Sequence, residues 1–211
     1  IDHLENLLLH YSPLVAAASL YLLAQVERDR ATLQAQKLLP TDPPALVQET
    51  SNDLLAAPHP PVLATFPTLE KLVYLFNSDF FHRLDPQTLL ALAHQGEVRT
   101  FTAGEAITEA GDTCRELLLL IAGQANVHYQ RPEGVQIEPF YPGQILDELE
   151  VLAHRDLDNT ILADSDGTRI LAIPVDAFDA LLDQDADFAR RVLGLESQRL
   201  QQLMTVAKNE G

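Results

Sequence analysis

The stretch Tyr141-Pro142-Gly143-Gln144-Ile145-Leu146-Asp147-Glu148-Leu149-Glu150-Val151-Leu152-Ala153, followed by Asn159-Thr160, decides how the chain is read. Pro142-Gly143 marks a tight turn, because proline presets its own φ and glycine tolerates positive φ. Behind the turn, Ile145, Leu149 and Leu152 fall on one side of a short helical pattern, and Asp147, Glu148 and Glu150 on the other. Segments with strand character lie on both sides, at 116–129, 159–163 and 169–174. A helix of one or two turns set between strands offers unpaired N–H groups and a positive dipole end, which suits an anion.

Working outward from there, residues 98–102, 106–108, 117–121, 125–130 and 136–141 read as short strands. Turns stand at Ala103-Gly104-Glu105 and Ala110-Gly111-Asp112, and a hairpin loop at Pro132-Glu133-Gly134. Helical patterns flank them. Leu69, Leu72, Val73, Leu75 and Phe76 form one apolar face, and Phe80, Phe81 and Leu84 follow it. Asp85-Pro86 caps a helix over 87–95. Helices over 176–182 and 185–208 close the chain, the second with a stripe of Phe188, Val192, Leu195, Leu200 and Leu203 that reads as core or lid. The expected class is α+β: a jelly-roll-like β-roll flanked by helices, preceded by an all-α segment.

That segment, residues 1–57, reads as helical. Leu4, Leu7, Leu8 and Tyr11 give a first face, and Ser12-Pro13 starts a helix carrying Leu14, Val15, Ala18, Leu22 and Val26. A helix over 31–39 follows. Thr41-Asp42-Pro43-Pro44 then breaks the chain and caps a third helix over 45–55. Leu14-Val15 and Leu46-Val47 both follow a proline break and stand 32 residues apart, a spacing in the range of helical repeats. The proline-rich stretch 58–68 reads as a semi-rigid linker and 69–211 as the second domain.

Composition narrows the function classes. Apolar residues make up 46% and charged residues 21% of the 211, as in a folded protein. The net charge of −17, from 31 acidic against 14 basic side chains, repels nucleic-acid backbones and anionic lipid. Leu117–Ala122, the longest apolar run, is too short to span a bilayer. The single cysteine, Cys114, forms no internal disulfide and reads as an inert free thiol in a reducing, cytoplasmic setting. The chain starts at Ile1 without a methionine, so a larger parent protein is expected.

Phe80-Phe81-His82-Arg83-Leu84-Asp85, Ala103-Gly104-Glu105, Glu109-Ala110-Gly111-Asp112, Leu118 to Gly123, Pro142-Gly143 and Glu148-Leu149 occur in an order that resembles the cyclic nucleotide-binding domain, over residues 69–211. The resemblance implies a β-roll whose one inter-strand helix is the phosphate-binding cassette. In that family the cassette reads Phe-Gly-Glu-Leu-Ala and then Pro-Arg-x-Ala-Thr. The glycine admits backbone N–H groups to the phosphate, the glutamate takes a ribose hydroxyl, and the arginine pairs with the phosphate. The ligand-pocket equivalents here are Leu146, Asp147, Glu148, Leu149, Leu157, Asn159 and Thr160. Glu148, Leu149 and Thr160 keep the pattern. Asp147 replaces the glycine, Glu150 a small residue, and Leu157 the arginine.

Losing the charge-assisted bond and meeting a like charge at Asp147 together weaken phosphate binding by about 4 kcal/mol, roughly a thousandfold. Asp147 is expected instead to cap the helix with its own carboxylate and plug the site. Arg155 would take the arginine's role only in a shifted loop. The resulting expectation is a non-catalytic regulatory or protein-interaction module, without cofactor or metal, that binds neither cAMP nor cGMP. The alternative is a genuine sensor with a rearranged cassette.

Carboxylates in the first turn of a helix are ordinary dipole complements, and His154 four residues after Glu150 is weak metal spacing. Relatives that bind DNA carry a helix-turn-helix after the long last helix, and with this charge none is expected here. The expected partner is a protein or another region of the same polypeptide. By resemblance, the helical segment looks like the end of a HEAT-type array. Arrays of that type joined to such a domain occur in bacterial transporter proteins, which implies the cytoplasmic part of a membrane protein.

Overall fold

The computed structural model describes residues 2–10, 12–56, 68–78, 80–131 and 134–209. It divides into two compact units, Ile1–Val73 and Tyr74–Gly211. The proline-rich stretch, except Thr68, and Pro132-Glu133 of the hairpin loop lie outside the described residues.

In the first unit the helices are α1 (Asp2–Leu7), α2 (Pro13–Val26), α3 (Arg28–Leu38) and α4 (Ala45–Ala56), with a 3-10 turn at Leu39–Thr41. Pro13 opens α2 from an extended Ser12, whose side chain makes no capping bond. The hydroxyl is therefore not the helix-starting device that the sequence suggests, and proline geometry alone sets the start. Ala16, Ala17, Ala31 and Ala35 are buried, and such small side chains let neighbouring helices approach closely around Leu8, Leu20 and Leu23. Arg30 ties α3 to α1, donating to Glu5 at 2.7 Å and to Asp2 at 2.9 Å.

The helix α5 (Thr68–Asn77) follows. Only part of its expected apolar face is covered: Leu69 and Leu75 are buried, whereas Val73 and Phe76 are exposed. In the second unit α6 (Pro86–Gln95) begins as the sequence predicts, with Asp85 accepting from the N–H groups of Gln87 at 2.9 Å and Thr88 at 3.1 Å. The strands are β1 (Glu97–Phe101), β2 (Ala106–Thr108), β3 (Glu116–Ala122), β4 (Ala125–Arg131), β5 (Gly134–Phe140) and β6 (Ile145–Leu146). After them come α7 (Glu148–Ala153), β7 (Thr160–Ala163), β8 (Thr168–Pro174), α8 (Val175–Gln184) and α9 (Ala186–Asn209).

Two antiparallel four-stranded sheets, ordered β1-β8-β3-β6 and β2-β7-β4-β5, form the expected β-roll flanked by helices. Leu118, Leu120, Val127, Phe140, Leu146, Ile161 and Ile170 fill it, each fully buried side chain contributing about 1.5–3 kcal/mol. The β3–β4 hairpin turns at Gly123, φ 79°. A Cβ there would lie 2.7 Å from the Thr168 Cα, so the close approach requires glycine. β5 is an edge strand with Val135 and Ile137 exposed, and Pro139 sits opposite Asn126. Outside the roll, Phe80, Phe81, Phe178 and Phe188 stack edge-to-face and face-to-face at centroid distances of 5.2–6.0 Å, locking the start of α9 onto α8 and the segment before α6. Of the predicted α9 stripe, Phe188 and Val192 are buried; the side chains of Leu200 and Leu203 lie outside the described residues.

Candidate functional site

The turn Pro142-Gly143 forms as expected, with Gly143 at φ 96° and Gln144 donating to the Tyr141 carbonyl at 3.2 Å. It feeds β6, which the sequence had placed within the helical pattern. Ile145 pairs with Leu119 and Leu146 with Leu118, so both are strand residues at the edge of the first sheet. The helix α7 is correspondingly short and starts at Glu148.

Asp147 precedes α7 at φ 56°, ψ 25°, and its side chain makes no capping bond. The expectation that its carboxylate satisfies the helix N–H groups is therefore corrected. Side-chain capping needs an extended backbone at this position, and the left-handed backbone turns the carboxyl elsewhere. The position keeps the conformation that favours glycine while carrying an aspartate. Asp147 Oδ2 is buried without a hydrogen-bond partner, and so is Thr108 Oγ1. Burial pushes the Asp147 carboxyl up to about 7; Glu150 adds to the rise and the Thr108 hydroxyl pulls against it.

Asp147 and Leu157 both line a cavity of about 180 Å³. Its apolar wall includes Phe101, Ile107, Leu118 and Ile170; its polar wall includes Arg99, Thr108, Cys114, Arg115 and Glu116. Leu157, which the resemblance sets against the arginine, is buried, and its backbone is fixed by bonds to Asp112 and Gly111 of 2.8 Å each. Arg155 does not stand free: it donates to Glu150 at 2.9 Å and pairs with Asp158 at 3.1 Å. Glu150 itself is buried, so this pair supplies the partner that a buried carboxylate requires.

The remaining predicted residues are scattered around this point. Leu146 and Glu148 are buried, Leu149 is exposed, and Asn159 and Thr160 are half-buried. Thr160 accepts a hydrogen bond from the Ala110 N–H at 3.2 Å and so closes the neighbouring turn. Burial pushes the Cys114 thiol up to about 11, as befits an inert thiol. Among the described residues there is no group of three or more His, Cys, Asp or Glu placed to hold a metal ion. No helix there is long and apolar enough to cross a membrane.

Sequence reasoning missed Arg99, Glu116 and Thr108. Arg99 on β1 donates to both carboxylate oxygens of Glu116 on β3, at 2.6 Å each, with β8 between the two strands. No sequence spacing announces a pair made by sheet order. Thr108 showed only as a polar residue at the end of a short strand.

Residues 98–185 match the family model described as the cyclic nucleotide-binding domain. No curated protein matches the chain in sequence. Among solved structures, the sensor domain of the transcriptional regulator DNR from Pseudomonas aeruginosa is similar, with a TM-score of 0.59 and 19% identity over 65% of this chain and 93% of that one. The Thermus thermophilus catabolite activator protein gives 0.53 and 23%, over 61% of each chain. A regulatory subunit of a cAMP-independent protein kinase A from Trypanosoma brucei gives 0.53 and 21%, over 59% of this chain and 46% of that one. That last structure carries three substitutions, one of them threonine to arginine, and is bound to cAMP. The chain thus spans less than two thirds of the latter two proteins. These likenesses show the β-roll fold, and the family match lies within it, at residues 98–185.

Proposed function

We propose that this chain, with a cyclic nucleotide-binding domain at residues 98–185, is a regulatory module that has lost the cyclic nucleotide and works through protein contacts. The observation that carries the reading is Leu157, buried where the family sets its phosphate-pairing arginine, while Arg155 is committed to Glu150 and Asp158. A cyclic phosphate would meet an aliphatic side chain and the Asp147 carboxyl instead of a guanidinium. Removing a charge-assisted bond weakens binding by about 1.5–3 kcal/mol, before the desolvated carboxyl adds repulsion.

The helices of the first unit support a further reading as the end of a HEAT-type array. α2 starts at Pro13 and α4 directly after Pro44, and both pack with α3 around buried alanines. The partner is then another region of the same polypeptide or a second protein.

A thermal-shift titration with cAMP and cGMP to millimolar concentration tests the proposal. No shift is expected for the native chain. The double variant Asp147→Gly, Leu157→Arg restores the glycine and the arginine and is expected to gain a saturable shift. A ligand at a hundred times its Kd stabilises the fold by about 2.7 kcal/mol. A saturable shift of the native chain at micromolar nucleotide would overturn the proposal and make this a sensor.

A further inference from the structure

We infer that the cavity lined by Asp147 is a site for a small amphipathic amine, with the ammonium head on the Asp147 carboxylate and the hydrocarbon body against Leu157, Leu118 and Ile170. The inference rests on the reading that cyclic nucleotide binding has been lost, and it names the chemistry that the same residues now suit. The volume of about 180 Å³ limits the guest to a small molecule.

The hydrogen count at Asp147 calls for a guest that donates. Asp147 Oδ2 and Thr108 Oγ1 are enclosed and have no hydrogen-bond partner among the described residues. A carboxylate only accepts, and a hydroxyl holds a single hydrogen. If Thr108 gives that hydrogen to Oδ2, the second carboxylate oxygen and its charge are still unanswered. Asp147 is only half-buried and lines the cavity, so a guest reaches it from there. An ammonium group brings three hydrogens and the missing positive charge.

The protein's own cations do not fill this role. Arg99 is held by Glu97 and Glu116, and Arg155 by Glu150 and Asp158. Of the remaining charged groups on the lining, Asp147 and Asp112 stand against Arg115, which is exposed to water. Hydrocarbon surface comes from Leu157, Leu118 and Ile170, all buried side chains that line the same cavity. The two departures that the resemblance marks thus act in one direction. Aspartate for glycine adds an attraction for a cation, and leucine for arginine removes a repulsion while adding apolar contact. Each also removes what would hold an anion.

The test is a titration of the full chain at pH 8 with hexylamine, hexanol and hexanoate, followed by amide and methyl chemical shifts in NMR. The amine keeps its proton at this pH, as a lysine side chain does. Hexylamine is expected to bind saturably at millimolar concentration, with shifts centred on Thr108, Leu118, Asp147, Leu157 and Ile170. Hexanol, with the same body and no charge, is expected to bind at least about tenfold more weakly, and hexanoate more weakly still. Asp147→Asn is expected to bring hexylamine down to the level of hexanol. No saturable hexylamine binding, equal binding of hexanol, tighter binding of hexanoate, or shifts spread over the acidic surface instead of the cavity would each overturn the inference. These comparisons are made on the native chain and do not depend on how the variant folds. They are also separate from the nucleotide titration: a chain that binds neither amine nor nucleotide overturns this inference alone, whereas saturable nucleotide binding overturns the reading beneath it.

Discussion

Replacing Asp147 by glycine is expected to stabilise the second unit, and to do so more at pH 8 than at pH 5. The carboxyl stands at about 7 in the folded chain against 3.8 in the unfolded one. As pH rises past the lower value, the unfolded chain ionises and the folded chain does not, so stability drains away. The loss accumulates at about 1.4 kcal/mol per pH unit and stops near the upper value, about 4 kcal/mol in all. Asp147 keeps some solvent contact, which screens the charge, so about half of that, some 2 kcal/mol, is the better expectation at pH 8. Roughly a third of it is already in place at pH 5. Glycine also relieves the backbone, which sits at φ 56°, by about 1 kcal/mol at either pH.

Urea denaturation followed by circular dichroism should therefore show a gain of about 3 kcal/mol at pH 8 and under about 2 at pH 5. Equal gains at the two pH values would mean that the carboxyl is not perturbed. A net loss at both would mean that the carboxylate does satisfy helix N–H groups, and the sequence expectation would be reinstated.

Three further substitutions probe the frame around the site. Phe188→Ala empties the centre of the phenylalanine cluster and removes the ring under Arg191; a loss of about 3–5 kcal/mol is expected in urea denaturation, and a loss below about 1 would show that α9 is not anchored there. Gly123→Ala drives a Cβ into the Thr168 backbone at positive φ and should lower stability by about 2 kcal/mol, with the Tm falling accordingly. Asp85→Ala removes the cap of α6 at a cost of about 1 kcal/mol near neutral pH. Because the Asp85 carboxyl is held below its ordinary value by the Thr88 side chain and backbone N–H, its contribution is present above the ordinary aspartate range and is lost as pH falls. The native chain and the variant should therefore converge in acid.

The features that the sequence disclosed are those decided within a few residues. Asp85-Pro86 caps a helix whatever lies elsewhere, and the Leu117–Ile121 run needs no partner to be read as a strand buried on both faces. Features decided at a distance were misread. Ile145 falls on a helical stripe by spacing alone, yet its pairing with Leu119 makes it a strand residue. Val73 and Phe76 complete an apolar face on paper and remain exposed in the fold. At the candidate site, that Asp147 and Leu157 belong together was legible, and both line one cavity. The direction of the Asp147 side chain was not, since it follows from a left-handed backbone that only tertiary context holds in place. The Arg99–Glu116 pair had no local signal at all, being created by the strand order.

The edge strand β5 bears on how this chain behaves at high concentration. Val135 and Ile137 give it an exposed apolar surface of the kind that invites a strand from another molecule to add on. Pro139, in the same strand, has no N–H to give such a visitor and is tolerated only where that missing donor faces outward. The invitation is thus cut short after a few residues, before a stacked intermolecular ladder gains length. Replacing that proline would convert a self-limiting border into a template for fibre growth.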